Sequence, residues 1–209
     1  MKNRRGFTQV ELLAAITIMA LLLVIAIPTV SRTVENSRRD SFAMLAKDYL
    51  EAVENNVMSE DLVCNINNKW VPITVAPKGK YFFPICTNPT TGKCYLIGGQ
   101  GIGTYMDRQE VVGSTTKLFD SLRKSPFGDR DLSGYVVWEV TDSTQGESNI
   151  TETSFKIRLE DQAWNGFEKE TPVDQLKRKN VKTRNVDPKG FGGPGNNIMF
   201  MGYRPCKLK

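Results

Sequence analysis

The sequence contains no histidine. Histidine is the commonest general base and the commonest metal ligand in proteins, so mechanisms that depend on an imidazole are excluded. The two glycine-rich runs, residues 98–103 and 190–195, lack the Lys-Ser or Lys-Thr ending of a phosphate-binding loop and the βαβ setting of a dinucleotide fingerprint. We therefore expect a protein that is not an enzyme and that uses neither a metal nor a cofactor.

Charge is nearly absent from the apolar run between residues 7 and 27, where Glu11 is the only ionisable side chain. Lys2, Arg4 and Arg5 lie directly before this run. A helix rises about 1.5 Å per residue, so the run is long enough to span a bilayer core of about 30 Å. Because basic residues hold their flank in the cytoplasm, the rest of the chain is expected to face outward.

A cleavable secretory signal is the alternative interpretation of this run, since residues 24–26 are small enough for signal peptidase. Two features argue against it. The run is longer than the usual signal core of about 7–15 residues. In addition, Glu11 lies near its start, and a carboxylate costs roughly 2.5–3.5 kcal/mol at mid-membrane depth, less toward the interface. Such a charge requires a partner. Pro28 is expected to interrupt or kink the helix near the far interface.

The stretch Gly-Phe-Thr-Gln-Val-Glu-Leu-Leu at residues 6–13 resembles the G-F-T-x-x-E-L-L signature of type IV prepilins and related pseudopilins. Gln9 departs mildly from it, since the family more often has an apolar residue there. The resemblance covers roughly the first 55 residues. It rests on a short basic leader, an aromatic residue, a glutamate and a late proline: Gly6, Phe7, Glu11 and Pro28.

The resemblance implies a processing and assembly role for these residues. A membrane prepilin peptidase would cut between Gly6 and Phe7 and would N-methylate the new Phe7 amine. Glu11 would then pair with the Phe7 amine of a neighbouring subunit, because neither charge can enter an apolar filament core alone. Pro28 is included among the assembly residues. The implied partners are other pilin subunits, the peptidase and the pilus assembly machinery in the membrane. No specific nucleic acid is expected.

The expected fold class is α+β, with a long N-terminal helix packed on a small antiparallel sheet, as in pilins. Residues 1–6 form the leader, residues 7–28 the transmembrane or filament-core half of the helix, and residues 29–60 its amphipathic half. Residues 61–209 form the globular head. The apolar stripe of the amphipathic half follows spacings of three and four: Val34, Phe42, Leu45, Ala46, Tyr49, Val53 and Val57.

Within the head, alternation and turn residues predict several short elements. The strongest is an antiparallel hairpin of residues 135–141 and 154–160. A helix is predicted over residues 114–124 with Ser114 as a possible cap, and a short surface helix after Pro172. The remaining predicted strands are residues 70–75, 81–85, 94–97 and 198–203.

The four cysteines all follow the apolar run, and an even number on an exported side predicts two disulfides. Three pairings are possible. We favour Cys86 with Cys94 as a clip around the turn at residues 88–92, which leaves Cys64 and Cys206 as a long-range staple. A four-thiolate zinc site is the competing hypothesis, but closely spaced cysteine pairs are missing.

Two further motifs in the head are weak. Asp120, Asp129 and Asp131 lack the glycine and the terminal glutamate of an EF-hand loop. Asn149 begins a glycosylation sequon, a pattern short enough to arise by chance. The sequence leaves both calcium binding and glycosylation open.

The leading hypothesis is a structural subunit of a type IV pilus filament, serving adhesion, motility or DNA uptake. It would be a single-pass membrane protein before assembly and part of a cell-surface filament afterwards. A pseudopilin of a type II secretion or competence system is the alternative within the family. A signal-anchored surface binding protein that does not polymerise is the alternative of another class. Glu11 discriminates between these classes, because a plain anchor gains nothing from it.

Overall fold

A computed structural model of the chain describes residues 8–75, 77–87, 108–119, 123–145, 148–184 and 203–209. The chain forms two compact units, one ending at Arg38 and the other beginning at Arg39. Helix α1 (Gln9–Met58) contributes residues to both units. The second unit also contains helix α2 (Arg108–Phe119) and a seven-stranded sheet, and we refer to it as the head.

The sheet has the strand order β2-β1-β7-β3-β4-β5-β6. Its strands are β1 (Leu62–Ile66), β2 (Lys69–Pro72), β3 (Gly79–Cys86), β4 (Leu132–Gln145), β5 (Ser148–Asp161), β6 (Gly166–Pro172) and β7 (Tyr203–Leu208). Neighbouring strands pair antiparallel, except that β3 and β7 run parallel. A long N-terminal helix and a mostly antiparallel sheet confirm the predicted pilin-like α+β class.

The head half of α1 buries one stripe of its surface against the sheet. Its buried members recur at spacings of three and four, which places them on one side of the helix: Phe42, Ala43, Leu45, Ala46, Tyr49, Leu50 and Val53. The Phe42 ring lies 5.8 Å from Phe127 and 6.1 Å from Phe167, centroid to centroid. Val34, the first residue of the predicted stripe, is 43% exposed, so the buried stripe begins later than expected.

Gly166 allows this packing at the start of β6. Its φ of +140° is a backbone conformation that L side chains rarely adopt, and a Cβ there would lie 2.7 Å from the Phe42 ring. The same Cβ would meet the main-chain oxygen of Leu159 at 2.2 Å. A glycine is therefore required for β6 and α1 to approach each other.

The predicted hairpin is confirmed and is longer than expected. β4 and β5 pair from Leu132 with Asp161 to Gln145 with Ser148. In β5, Ile157 and Leu159 are fully buried in the core beneath α1, as the alternation of apolar and polar residues indicated.

The prediction for α2 was wrong in its position. The helix begins at Arg108, and Ser114 lies in its middle, where its Oγ accepts a hydrogen bond from the Leu208 amide at 3.2 Å. Val111, Ser114 and Thr115 are all buried. Because polar side chains occupy this buried face, the apolar periodicity that marks a helix start is hidden in the sequence.

Other strand predictions were partly right. The predicted strand at residues 70–75 is β2 followed by a 3-10 turn, Ile73–Val75. A second 3-10 turn, Val173–Gln175, follows Pro172 where a short helix was expected. The predicted final strand, residues 198–203, meets the described residues only at Tyr203, where β7 begins, and β7 contains Cys206. β1 and β6 were missed. Residues 94–97 and 198–202 lie outside the described part of the chain.

Candidate functional site

The N-terminus of α1 is capped by reciprocal hydrogen bonds between Thr8 and Glu11. The Thr8 amide and hydroxyl each donate to Glu11 Oε2 at 2.9 Å, and the Glu11 amide donates to Thr8 Oγ1 at 3.3 Å. This is a capping box, which satisfies main-chain donors that the first helical turn leaves without partners. The sequence analysis missed Thr8, although the spacing Thr-x-x-Glu before an apolar run is its recognised signal.

The first half of α1 exposes a continuous apolar surface. Each of the following residues is more than half exposed: Val10, Leu12, Leu13, Ile16, Ile18, Met19, Leu21, Leu22, Leu23, Val24, Ile25, Ile27 and Val30. Of the residues that the structure describes, only α1 forms a helix long and apolar enough to cross a membrane. A surface of this kind needs lipid or other apolar helices around it.

The few polar groups of this segment are satisfied within the helix itself. Thr17 Oγ1 donates to the Ala14 carbonyl at 2.8 Å, and Thr29 Oγ1 to the Ile25 carbonyl at 3.2 Å. The helix continues through Pro28, so the predicted interruption does not occur. Glu11 is the only ionisable residue between Thr8 and Ser31, and the donors to its carboxylate are the amide and hydroxyl of Thr8.

The structure describes only some of the residues that were expected to act in processing and in disulfide bonds. Gly6 and Phe7 lie outside the described residues. Cys64 and Cys206 form a disulfide across β1 and β7, with a sequence separation of 142. Cys86 is also disulfide-bonded. Its expected partner, Cys94, is not among the described residues.

Two buried carboxylates in the head were not anticipated from the sequence. Asp161 is fully buried, and its Oδ1 accepts the amides of Ala163 and Asn165 at 2.8 and 3.0 Å, which fixes the turn between β5 and β6. Glu160 lies next to it, and burial raises the pKa of this carboxyl to about 7, against the opposing effect of the Arg158 guanidinium. Asp161 therefore supports the fold, whereas burial disfavours the ionised form of Glu160. Across the described ranges, no three acidic, cysteine or histidine side chains lie together as a metal site would require.

A comparison with known protein families finds a match at the N-terminus of the chain, where the exposed apolar helix begins. Residues 1–27 match the family described as the prokaryotic N-terminal methylation motif, which is the type IV prepilin-type signature. Together with the exposed apolar helix, the motif supports a type IV pilin-like or pseudopilin precursor, anchored in the membrane. The motif points to a structural protein and implies processing by prepilin peptidase and assembly into filaments. No curated protein and no solved structure matches the chain.

Proposed function

We propose that the chain is a subunit of a type IV pilus, stored in the membrane and polymerised through α1 into a cell-surface filament. The observation that carries the proposal is Glu11, a single ionisable residue at the start of an apolar helix whose surface is exposed. A carboxylate in that position is a cost in a simple membrane anchor. Within one chain it caps the first turn of α1, but in an apolar filament core its charge also needs a cation from another subunit.

The cation in this proposal is the amine of Phe7 on a neighbouring subunit. Cleavage between Gly6 and Phe7 creates that amine and removes Lys2, Arg4 and Arg5, which would otherwise hold the N-terminus at the cytoplasmic face. Breaking a buried ion pair by removing one partner costs about 3–5 kcal/mol, because the other charge stays buried without compensation. The pair would therefore fix the register of neighbouring helices.

The partners of this function are further pilin subunits, the prepilin peptidase and the membrane assembly machinery. The match to the methylation motif and the length of the exposed apolar surface support these roles. In this proposal the apolar half of α1 supplies the contact in the filament core, and the head carries the outer surface of the filament.

The capping box supplies a matched control for the test of this function. Glu11→Gln removes the charge but keeps an oxygen that can accept the bonds from Thr8. Thr8→Val removes the hydroxyl but keeps the Glu11 charge. We expect Glu11→Gln to abolish surface filaments seen by electron microscopy, and Thr8→Val to leave them present.

Both variants should accumulate in the membrane fraction, and mass spectrometry should show whether each is cleaved after Gly6. If Glu11→Gln is cleaved and assembles filaments as the unmodified sequence does, the charge has no role in polymerisation. The anchored binding protein would then be the better interpretation. If the mature chain never reaches the cell surface but remains in a periplasmic complex, the pseudopilin is favoured.

A further inference from the structure

A groove lies on the head between the exposed side of α1 and the segment that follows β6. It has a volume of about 560 Å³ and is open to solvent. Ala43, Met44 and Leu176 provide its apolar lining, and Met44 is 68% exposed. The segment is held against α1 by Arg178, which lies 3.3 Å from Asp40 Oδ2, and by a 2.9 Å hydrogen bond from Arg39 to Thr183.

The rim of the groove carries an excess of positive charge. Lys47 is paired with Glu51 at 3.3 Å, and Arg178 with Asp40. Lys177 and Lys179 also line the groove and are exposed. Neither of them forms an ion pair with any residue that the structure describes. A partner for this groove should therefore combine an apolar side chain with flanking carboxylates.

The C-terminal end of the same helix has that composition. Met58, the last residue of α1, is 70% exposed. Glu54, Glu60 and Asp61 surround it in sequence, and within the described ranges none of these side chains has a basic ion-pair partner. Lys209 is the nearby cation, and its Nζ donates to the main-chain oxygen of Glu60. The end of α1 thus presents an apolar side chain among carboxylates.

The two features lie on one side of α1. Met44 and Met58 are 14 positions apart in the sequence. At about 1.5 Å and 100° per residue, they are separated by about 21 Å along the axis and lie within about 40° of the same direction. They cannot meet within one chain.

We propose that Met58 and its flanking carboxylates occupy the groove of a second copy of this chain. This inference rests on the proposed function, since a filament holds its α1 helices parallel. The contact is heterologous, so each copy offers a groove to one neighbour and its Met58 end to another. Successive copies would be rotated about an axis parallel to the helices and raised by about 21 Å. Repetition of that step gives an open filament rather than a closed dimer.

Cysteine cross-linking on filament-bearing cells tests the contact directly. The described cysteines are all in disulfides, so an introduced thiol reports its own position. The probe is a short bismaleimide, applied to Met44→Cys, to Met58→Cys, and to the chain with both changes. We expect no cross-link in either single variant, a dimer when the two single variants are co-expressed, and a ladder of higher oligomers in the double variant.

The outcomes separate the alternatives. A double variant that stops at the dimer would show an antiparallel, closed contact, which contradicts the proposal. Filaments that form without any link between positions 44 and 58 would contradict it too, while leaving the pilus function standing. A ladder in membranes that bear no filaments would support the contact and refute the pilus function. If neither filaments nor the cross-link are found, the contact and the pilus function are both refuted.

Charge reversal tests the rim independently. Lys177→Glu with Lys179→Glu should lower the yield of the cross-link by roughly 2- to 30-fold, the range expected for two exposed ion pairs. Adding Glu54→Lys and Glu60→Lys in the same chain should restore it. Lys69→Glu with Lys117→Glu makes the same change in net charge at two other exposed sites and is the matched control, expected to leave the yield unchanged.

An anionic membrane surface is the competing partner for a basic rim. Flotation of isolated, detergent-free filaments with vesicles of phosphatidylglycerol distinguishes it. If Lys177→Glu with Lys179→Glu abolishes vesicle binding and leaves the cross-link unchanged, the groove serves a lipid and the proposal fails. An effect on the cross-link, with rescue by the reversed pair, supports the second copy.

Discussion

The disulfide between Cys64 and Cys206 gives the most quantitative prediction for the head. It joins β1 to β7 and closes a loop with a sequence separation of 142 residues. In the chain-entropy model, a loop of that length restricts the unfolded chain by about 5 kcal/mol, near the upper end of measured disulfide contributions. Replacing both cysteines by alanine should therefore lower the free energy of unfolding by about 3–5 kcal/mol.

The matched control is the second disulfide, for which Cys94 is the predicted partner of Cys86. These two residues are eight positions apart in the sequence. The same model then gives about 2.5 kcal/mol for their loop, so the alanine pair at positions 86 and 94 should lose less. Denaturant unfolding of the full-length chain in detergent, followed by tryptophan fluorescence, measures both. A loss under about 1 kcal/mol for the Cys64 and Cys206 pair, or a larger loss for the control, would refute the reasoning.

Three further predictions concern the core of the head. Gly134→Ala should destabilise the head by about 1–3 kcal/mol, because a Cβ there would lie 2.1 Å from a main-chain oxygen of β5. Gly113→Ala in α2, where a Cβ meets nothing within 4 Å, should instead be neutral or stabilising; equal losses would contradict the packing. Phe42→Ala should lower the free energy of unfolding by about 3–5 kcal/mol, whereas Met44→Ala, at an exposed position, should leave it almost unchanged. Thermal unfolding measures both variants, and equal losses of stability would rule out the buried stripe. Burial raises the pKa of Glu160 to about 7, so the folded head holds this proton more tightly than the unfolded chain and stability falls as the pH rises from about 4.5 to about 7. Glu160→Gln should reduce that fall by on the order of 1–3 kcal/mol in denaturant titrations at about pH 5 and pH 8; an unchanged pH dependence would exclude Glu160 as its source.

The helix and the central hairpin could be predicted because their residues carry a strong local pattern. The stripe from Phe42 to Val53 has helical spacing, and β5 alternates apolar with charged side chains. The sequence of β6, Gly-Phe-Glu-Lys-Glu-Thr-Pro, shows no such alternation. This strand is held by its pairing with β5, which no local pattern reveals. α2 was misplaced for a related reason, since it buries Ser114 and Thr115.

The candidate site was predictable to a similar degree. Glu11 stands out in the sequence because every other residue near it is uncharged. Its bonds to Thr8 follow a known spacing and could have been predicted. The groove at Met44 could not, because Leu176 and Lys177 reach it only through the path of the chain after β6. Long-range pairings of this kind leave no local signal in a single sequence.

Direct analysis of the mature protein from its native cell envelope tests the central claim. The measurement is the N-terminal sequence together with the intact mass. The account predicts a chain that begins at N-methylated Phe7 and carries two disulfides. A chain that begins near Ile27 would identify an ordinary secreted protein, and an unprocessed Met1 would identify a simple membrane anchor; either result would contradict the proposed pilin function.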